Sequence, residues 1–140
     1  MSENCTAEEQ IWAVPGAIDH DSDGVPRLVA GHCAHCVATY YPRPQLCPTC
    51  WSEDVRKVML PRVGTLYSYS VVHTGRAGWH TPYLLGAVDF PEINTRVVGV
   101  LKGPPDWRPA LDSSVRVGVG HICSDAKGAP VFAHQFHLET

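Results

Sequence analysis

The stretch GHCAHCVATYYPRPQLCPTCW, Gly31 to Trp51, carries four of the six cysteines as two pairs, Cys33/Cys36 and Cys47/Cys50. Two residues lie inside each pair and ten between the pairs. A two-residue gap lets the backbone turn back on itself, so that both sulfurs of a pair face one ion; two such knuckles complete a tetrahedral shell. The ten-residue spacer is short for such sites, yet Tyr40 to Gln45 can form the hairpin that brings the knuckles together. Four thiolates fill the coordination sphere and leave no position for water or substrate, so the site is expected to be structural. Zinc is the expected occupant, with iron in a rubredoxin-like site as the chemical alternative. Val37 and Trp51 follow the knuckles where glycine is frequent, which bears on turn geometry and not on ligation. With four thiolates present, His32 and His35 are expected to flank the site and not to ligate. A lobe of about 25 residues has too little apolar surface to fold alone, so the metal supplies most of its stability.

Outward from this stretch, 140 residues suit one ordinary domain or a very small module joined to a small barrel. The 44% hydrophobic and 18% charged content is that of a folded globular protein. A formal charge of -3 offers no attraction to polyanions, and no nucleic-acid partner is expected. No run of about 18 apolar residues is present to cross a membrane, and the opening MSENCTAEEQ lacks the basic and apolar regions of a secretory signal. The expected location is cytoplasmic, where paired cysteines bind metal more often than they form disulfides. Twelve prolines and twelve glycines argue against long helices and for a mostly β chain.

The segment TAEEQIWAV, Thr6 to Val14, predicts a short N-terminal helix. Thr6 and Glu9 form a capping-box pattern, Ile11 and Trp12 supply apolar contacts, and Pro15 and Gly16 stop it. DHDSDG, Asp19 to Gly24, has the order of a calcium loop. Position twelve of such a loop is Ala30 where a bidentate Glu is needed, so it reads as a solvated Asp/Gly turn. From Gly64 the texture changes to strands between turns: TLYSYSVVHT (Thr65 to Thr74), YLLGAVDF (Tyr83 to Phe90), TRVVGVLKG (Thr95 to Gly103), SSVRVGVGHIC (Ser113 to Cys123) and PVFAHQFHL (Pro130 to Leu138). Five strands in about 75 residues suit a small closed barrel. The expected organisation is an N-terminal segment over 1–24, a rubredoxin-like zinc ribbon over 25–60 and a five-stranded OB-fold domain over 61–140.

Catalytic machinery is hard to find. Cys123 and His121 share a strand face and could act as thiolate and base, but a free cysteine continuing an apolar row is the reading we prefer. No nucleophile elbow, phosphate loop or HExxH helix is present. The loop HTGRAGWHTP, His73 to Pro82, is either a binding loop or a hairpin tip with Trp79 folded back on the barrel. Arg43, Arg56, Lys57, Arg62 and Arg76 could form a basic patch between the lobes, fit for a phosphorylated cofactor.

The order of these parts is more specific than any one of them. A C-x2-C, ten residues, C-x2-C ribbon containing YYPRPQLCPTC, then GTLYSYSVVHT, PYLLGAVDF, VGVGHI and PVFAHQF, resembles the thiolase-associated zinc-ribbon plus OB-fold family. The similarity runs from about Gly24 to Phe136. It implies a small accessory protein that binds a thiolase-fold partner in a hetero-oligomer and helps shape a coenzyme A/acyl-CoA site. The partner would hold the catalytic residues, and the family pattern assigns none to this chain. The resemblance makes Cys33, Cys36, Cys47 and Cys50 the zinc ligands. It matches Tyr41-Pro42-Arg43-Pro44 to the aromatic-proline-arginine segment between the knuckles, and it suggests a thiolase acting on a bulky or aromatic acyl-CoA, such as a steroid or a toluene-derived succinate. Tyr41, Arg43, Arg62 and Arg76 are the expected coenzyme A or partner contacts. Two other readings compete. A single-stranded nucleic-acid-binding module is opposed by the acidic charge and the lack of a basic, aromatic stripe; a rubredoxin-like electron carrier would need iron at the four cysteines.

Overall fold

A computed structural model of the protein describes residues 11–104 and 106–138. The described chain is ten strands and one 3-10 turn: β1 (Ile11–Trp12), β2 (Ile18–His20), β3 (Pro26–Cys33), β4 (Ala38–Tyr40), β5 (Val55–Met59), β6 (Val63–Val72), β7 (Tyr83–Phe90), the turn Pro91–Ile93, β8 (Thr95–Lys102), β9 (Ser114–Ser124) and β10 (Pro130–Leu138).

The five long C-terminal strands close on themselves. β6 pairs β7, β7 pairs β8, β8 pairs β10, β10 pairs β9 and β9 returns to β6. Only the β8–β10 pairing is parallel within this ring, which gives the expected five-stranded Greek-key barrel of OB type. Period-two alternation sets its inner face. In β7 every second residue from Leu84 to Phe90 is buried, and in β8 Val97 and Leu101 point inward with Gly99 between them. Leu66, Val115, Val117 and Phe136 complete the centre, where the Phe90 and Phe136 rings lie 6.5 Å apart.

The ribbon is built around β3. β2 pairs its first half, while β4 and β5 flank its second half on either side, all antiparallel. β3 therefore has two ends with different tasks. Leu28 and Ala30, with Leu60 just after β5, enter the same core as the barrel residues. At the far end Cys33 sits opposite both Ala38 and Val55, at the metal centre.

The expected N-terminal helix is not what the described residues form: Ile11 and Trp12 are strand, and Thr6 to Gln10 lie outside the described residues. β8 covers β10 only at Gln135–His137, so the backbone at Val131–Phe132 is open on that side, and β1 fills it as a parallel strand. The Ala13 amide donates to the Phe132 carbonyl (2.8 Å), and the Trp12 and Phe132 rings lie 6.0 Å apart. A nine-residue helix is marginal in water; an open sheet edge and an aromatic partner outweigh its capping box.

Candidate functional site: a four-cysteine metal centre

Each knuckle is closed by a backbone hydrogen bond from the residue after the second cysteine: Val37 N–H to Cys33 O, and Trp51 N–H to Cys47 O, both 2.9 Å. The β3–β4 hairpin carries the first knuckle, and residues 41–46 carry the chain across to the second. The four Sγ atoms all lie within 4.8 Å of one another. Cys33 and Cys50 sulfurs are 3.6 Å apart, and those of Cys36 and Cys47 are 3.8 Å apart. A tetrahedron with metal–sulfur bonds of about 2.3 Å has edges of about 3.8 Å, so the donors are already spaced for zinc. Cys33 and Cys47 are buried, Cys36 is half-buried and Cys50 is exposed.

The electrostatics ask for a cation. Amide N–H groups of Cys50 and Thr49, with neighbouring thiols, pull the Cys47 thiol down to about 6 against the opposing effect of desolvation. Hydrogen bonding with Cys50, burial and the Cys47 thiol push Cys36 up to about 12. Four sulfurs this close cannot all ionise unaided; a divalent ion makes that possible. The residues fit zinc: Cys33, Cys36, Cys47 and Cys50 would hold it, and the fold stability it supplies is its chemistry here, since the shell has no fifth place. His32 lies outside the cluster of donor atoms, which is the four cysteine sulfurs; its Nδ1 lies 3.0 Å from Thr39 Oγ1.

Val37 and Trp51 adopt left-handed backbone, with φ of 58° and 67°. The knuckles thus keep the turn that glycine usually makes, without the glycine. Left-handed backbone costs an ordinary residue about 1–2 kcal/mol, and for β-branched valine it is an outlier. Gly31, at the foot of the first knuckle, is there for space. A Cβ on it would lie 2.6 Å from Val55 Cγ1 and 2.8 Å from Arg43 Cγ.

The four expected coenzyme A or partner contacts lie in different places and differ in their partners. Arg43 crosses Gly31 and donates from Nη2 to the Val55 carbonyl (2.9 Å). Arg62 donates to Asp21 Oδ2 (2.8 Å) and Asp23 Oδ2 (2.7 Å). Arg76 is exposed in the β6–β7 loop, with no acidic partner among the described residues. Two further members of the expected basic patch are also paired, Arg56 with Asp54 and Lys57 with Asp19.

Tyr41 has a partner 93 positions away that no local pattern signals: His134 on β10. The His134 Nε2 lies 2.9 Å from the Val98 carbonyl, which can only accept, so Nε2 carries the hydrogen and Nδ1 accepts from the Tyr41 hydroxyl (3.2 Å). Burial lowers the His134 pKa, against the Val98 bond, and raises that of Tyr41 to about 12. Both stay neutral at pH 7. The pair walls an apolar cleft of about 270 Å³ between the ribbon, the N-terminal strand and the barrel, with Trp12, Ile18, Trp79 and Leu85 among its lining. A second cleft of about 180 Å³ gathers His80, from the loop singled out in the sequence, with Tyr83, Lys102, Trp107 and Arg108; their grouping is not legible in the sequence because the β7 start, the β8 end and the following loop meet only in the barrel.

The Asp/Gly turn is as expected, and it does more. Asp21 accepts from the amides of Asp23 and Val25 and pairs with Arg27 and Arg62, so it joins the ribbon to the start of the barrel. Desolvation works to raise its pKa, but the Val25 amide, Arg62 and Arg27 outweigh that and hold it at about 2. The His73–Pro82 loop resolves toward its second reading: Trp79 stacks on Tyr83 at 5.0 Å and bridges Cys123 through the backbone, and the Ser124 amide donates to Gly78 O (2.9 Å). Gly78 must be glycine, with φ of 93° and the Ser124 carbonyl where a Cβ would be. The described residues show no hydrogen bond between Cys123 and His121; the His121 ring lies 6.3 Å from that of Phe132.

Comparison with known proteins agrees with this anatomy. Residues 24–56 match the ChsH2 rubredoxin-like zinc ribbon domain and residues 57–120 the ChsH2 C-terminal OB-fold domain. The chain is 36% identical over 124 residues to the benzoylsuccinyl-CoA thiolase subunit BbsA of Thauera aromatica, covering 87% of this chain and 84% of the relative. It is 34% identical over 113 residues to the BbsA subunit of Geobacter metallireducens, covering 81% and 75%. Among solved structures, a chain of the Ltp2-ChsH2(DUF35) aldolase superposes with a TM-score of 0.57 and 30% identity, over 76% of this chain and 84% of that one.

Proposed function

Because the chain belongs to the ChsH2-type family of zinc-ribbon plus OB-fold proteins, we propose that it is a noncatalytic accessory subunit of a hetero-oligomeric thiolase-type acyl-CoA acyltransferase. It stabilises a thiolase-fold partner in the cytoplasm and helps form that partner's coenzyme A/acyl-CoA site, for a bulky or aromatic acyl group. The observation that carries the reading is the match to thiolase subunits along most of both chains, at 36% and 34% identity. Two features of the chain support it. Its metal shell is saturated by protein sulfur, so the ion has no coordination site with which to act on a thioester. Among the described residues the one half-buried thiol outside the metal shell, Cys123, has no base bonded to it.

Within this reading Tyr41, Arg43, Arg62 and Arg76 are the proposed coenzyme A or partner contacts, in unequal roles. Arg76 is the readiest for a phosphate, while Arg62 would first have to leave two carboxylates. Lys102 and Arg108, beside Tyr83 and Trp107, offer a phosphorylated nucleotide both charge and aromatic surface. The carboxylate pairing of Arg27, Arg56, Lys57, Arg62 and Arg96 removes those cations from any continuous phosphate-binding stripe, which counts against nucleic acid.

The test is co-purification from the host, mass identification of what stays bound, and a thiolysis assay of each component. We expect a thiolase-fold protein to be captured, no activity from this chain alone, and activity when the two are mixed. Full activity of the partner without this chain would defeat the proposal.

A further inference from the structure

We infer that Val37 and Trp51 are the apolar anchors by which the metal lobe seats in its partner subunit, in an uncharged pocket rimmed by basic side chains. The inference rests on the accessory-subunit reading above and adds the face and the chemistry of the contact. Both residues directly follow a ligand of the same shell, Cys36 and Cys50. Both hold left-handed backbone that glycine would adopt without strain. Both side chains gain little from their own fold, since Val37 is 74% and Trp51 76% exposed. A strained backbone at two matched positions, each displaying a large apolar group to solvent, is what a binding surface requires and a folding unit does not.

Area and charge indicate the occupant. A tryptophan offers on the order of 200 Å², so Trp51 with Val37 and the exposed Leu46 falls well short of the roughly 800 Å² per side of a standard interface. The knuckle tip is thus an anchor inside a larger contact. From Gly31 to Ser52 the only Lys, Arg, Asp or Glu is Arg43, which is turned to the Val55 carbonyl. A dication with four thiolates leaves a formal charge of about -2 beneath this neutral tip; Glu53 follows it, while Asp54 is paired with Arg56. A second copy of the chain would bring two such centres face to face. A pocket edged with arginine or lysine would meet charge with charge and could place a cation on the Trp51 ring.

The test uses the zinc-loaded full chain and the thiolase-fold protein that co-purifies with it, comparing wild type with V37G/W51G. Because glycine relieves the backbone strain, the double variant should melt at a higher temperature with one zinc per chain, yet bind the partner at least tenfold more weakly by calorimetry. Stability and association should move in opposite directions, which a purely structural role would not produce. Undiminished binding by the variant overturns the inference while leaving the accessory-subunit reading intact. So does a lower melting temperature, or a wild-type homodimer that the substitutions dissociate. Failure of the wild type to bind any thiolase-fold protein removes both.

Discussion

The two lobes are held by different physics. Around the cysteines the buried cluster is Cys33, Cys47 and Val55, with Cys36 and Tyr40 against it; the barrel and the ribbon's base share a cluster of twelve buried residues, among them Phe90, Phe136 and Leu66. Roughly 1.5–3 kcal/mol per large buried side chain can hold the barrel, while three small residues cannot order about 25. Metal ligation must supply the difference at the tip. The same β3 strand serves both ends, Leu28 in hydrocarbon and Cys33 in the metal shell, so the tip can be lost without the base.

The largest effect that separates the lobes is metal removal. Apparent zinc binding in small fingers is worth about 10–16 kcal/mol. A chelator, or Cys47→Ser, should therefore abolish hydrogen-exchange protection at the Val37 and Trp51 amides while those of β7 and β8 stay protected. Simultaneous loss in both lobes would show one cooperative unit. Next comes Phe136→Ala, expected to cost about 3–5 kcal/mol in denaturant unfolding with zinc stoichiometry unchanged; a loss of zinc at native temperature would contradict the separation. Gly31→Ala should cost about 1–3 kcal/mol through overpacking against Val55 and Arg43, with protection falling first at the tip.

The smallest effect concerns the joint between the lobes. Asp21 is held at about 2, below its ordinary 3.8, so its contribution is essentially complete above about pH 5 and is lost progressively as pH falls from there through about 2. The melting-temperature gap between wild type and Asp21→Asn should be constant from pH 7 to pH 5, above the range where acid strips the thiolates of metal. A gap that closes within that window would mean the carboxylate is not held as described.

How far the sequence could be read follows from the range of the interactions. The knuckles, the alternating strands and the Asp turn depend on residues a few positions apart, and all are legible in the sequence. β1 is not legible in the sequence because the partner of Trp12, Phe132, lies 120 residues on and competes with a local capping signal. Tyr41–His134 and Arg62–Asp21 were invisible for the same reason, since barrel closure and not spacing brings them together. Spacing flagged Val37 and Trp51 as departures from glycine; only the backbone angles and exposure gave that departure a meaning.

The central claim, that the four-cysteine centre is a closed structural support and not a reacting site, is tested most directly by exchanging its ion. Cadmium is a thiophilic dication that accepts the same four sulfurs. Thiolysis by the reconstituted complex should be the same with zinc-loaded and cadmium-loaded chain at equal occupancy. A rate that changes with the identity of the metal would place the ion in the chemistry and contradict the account.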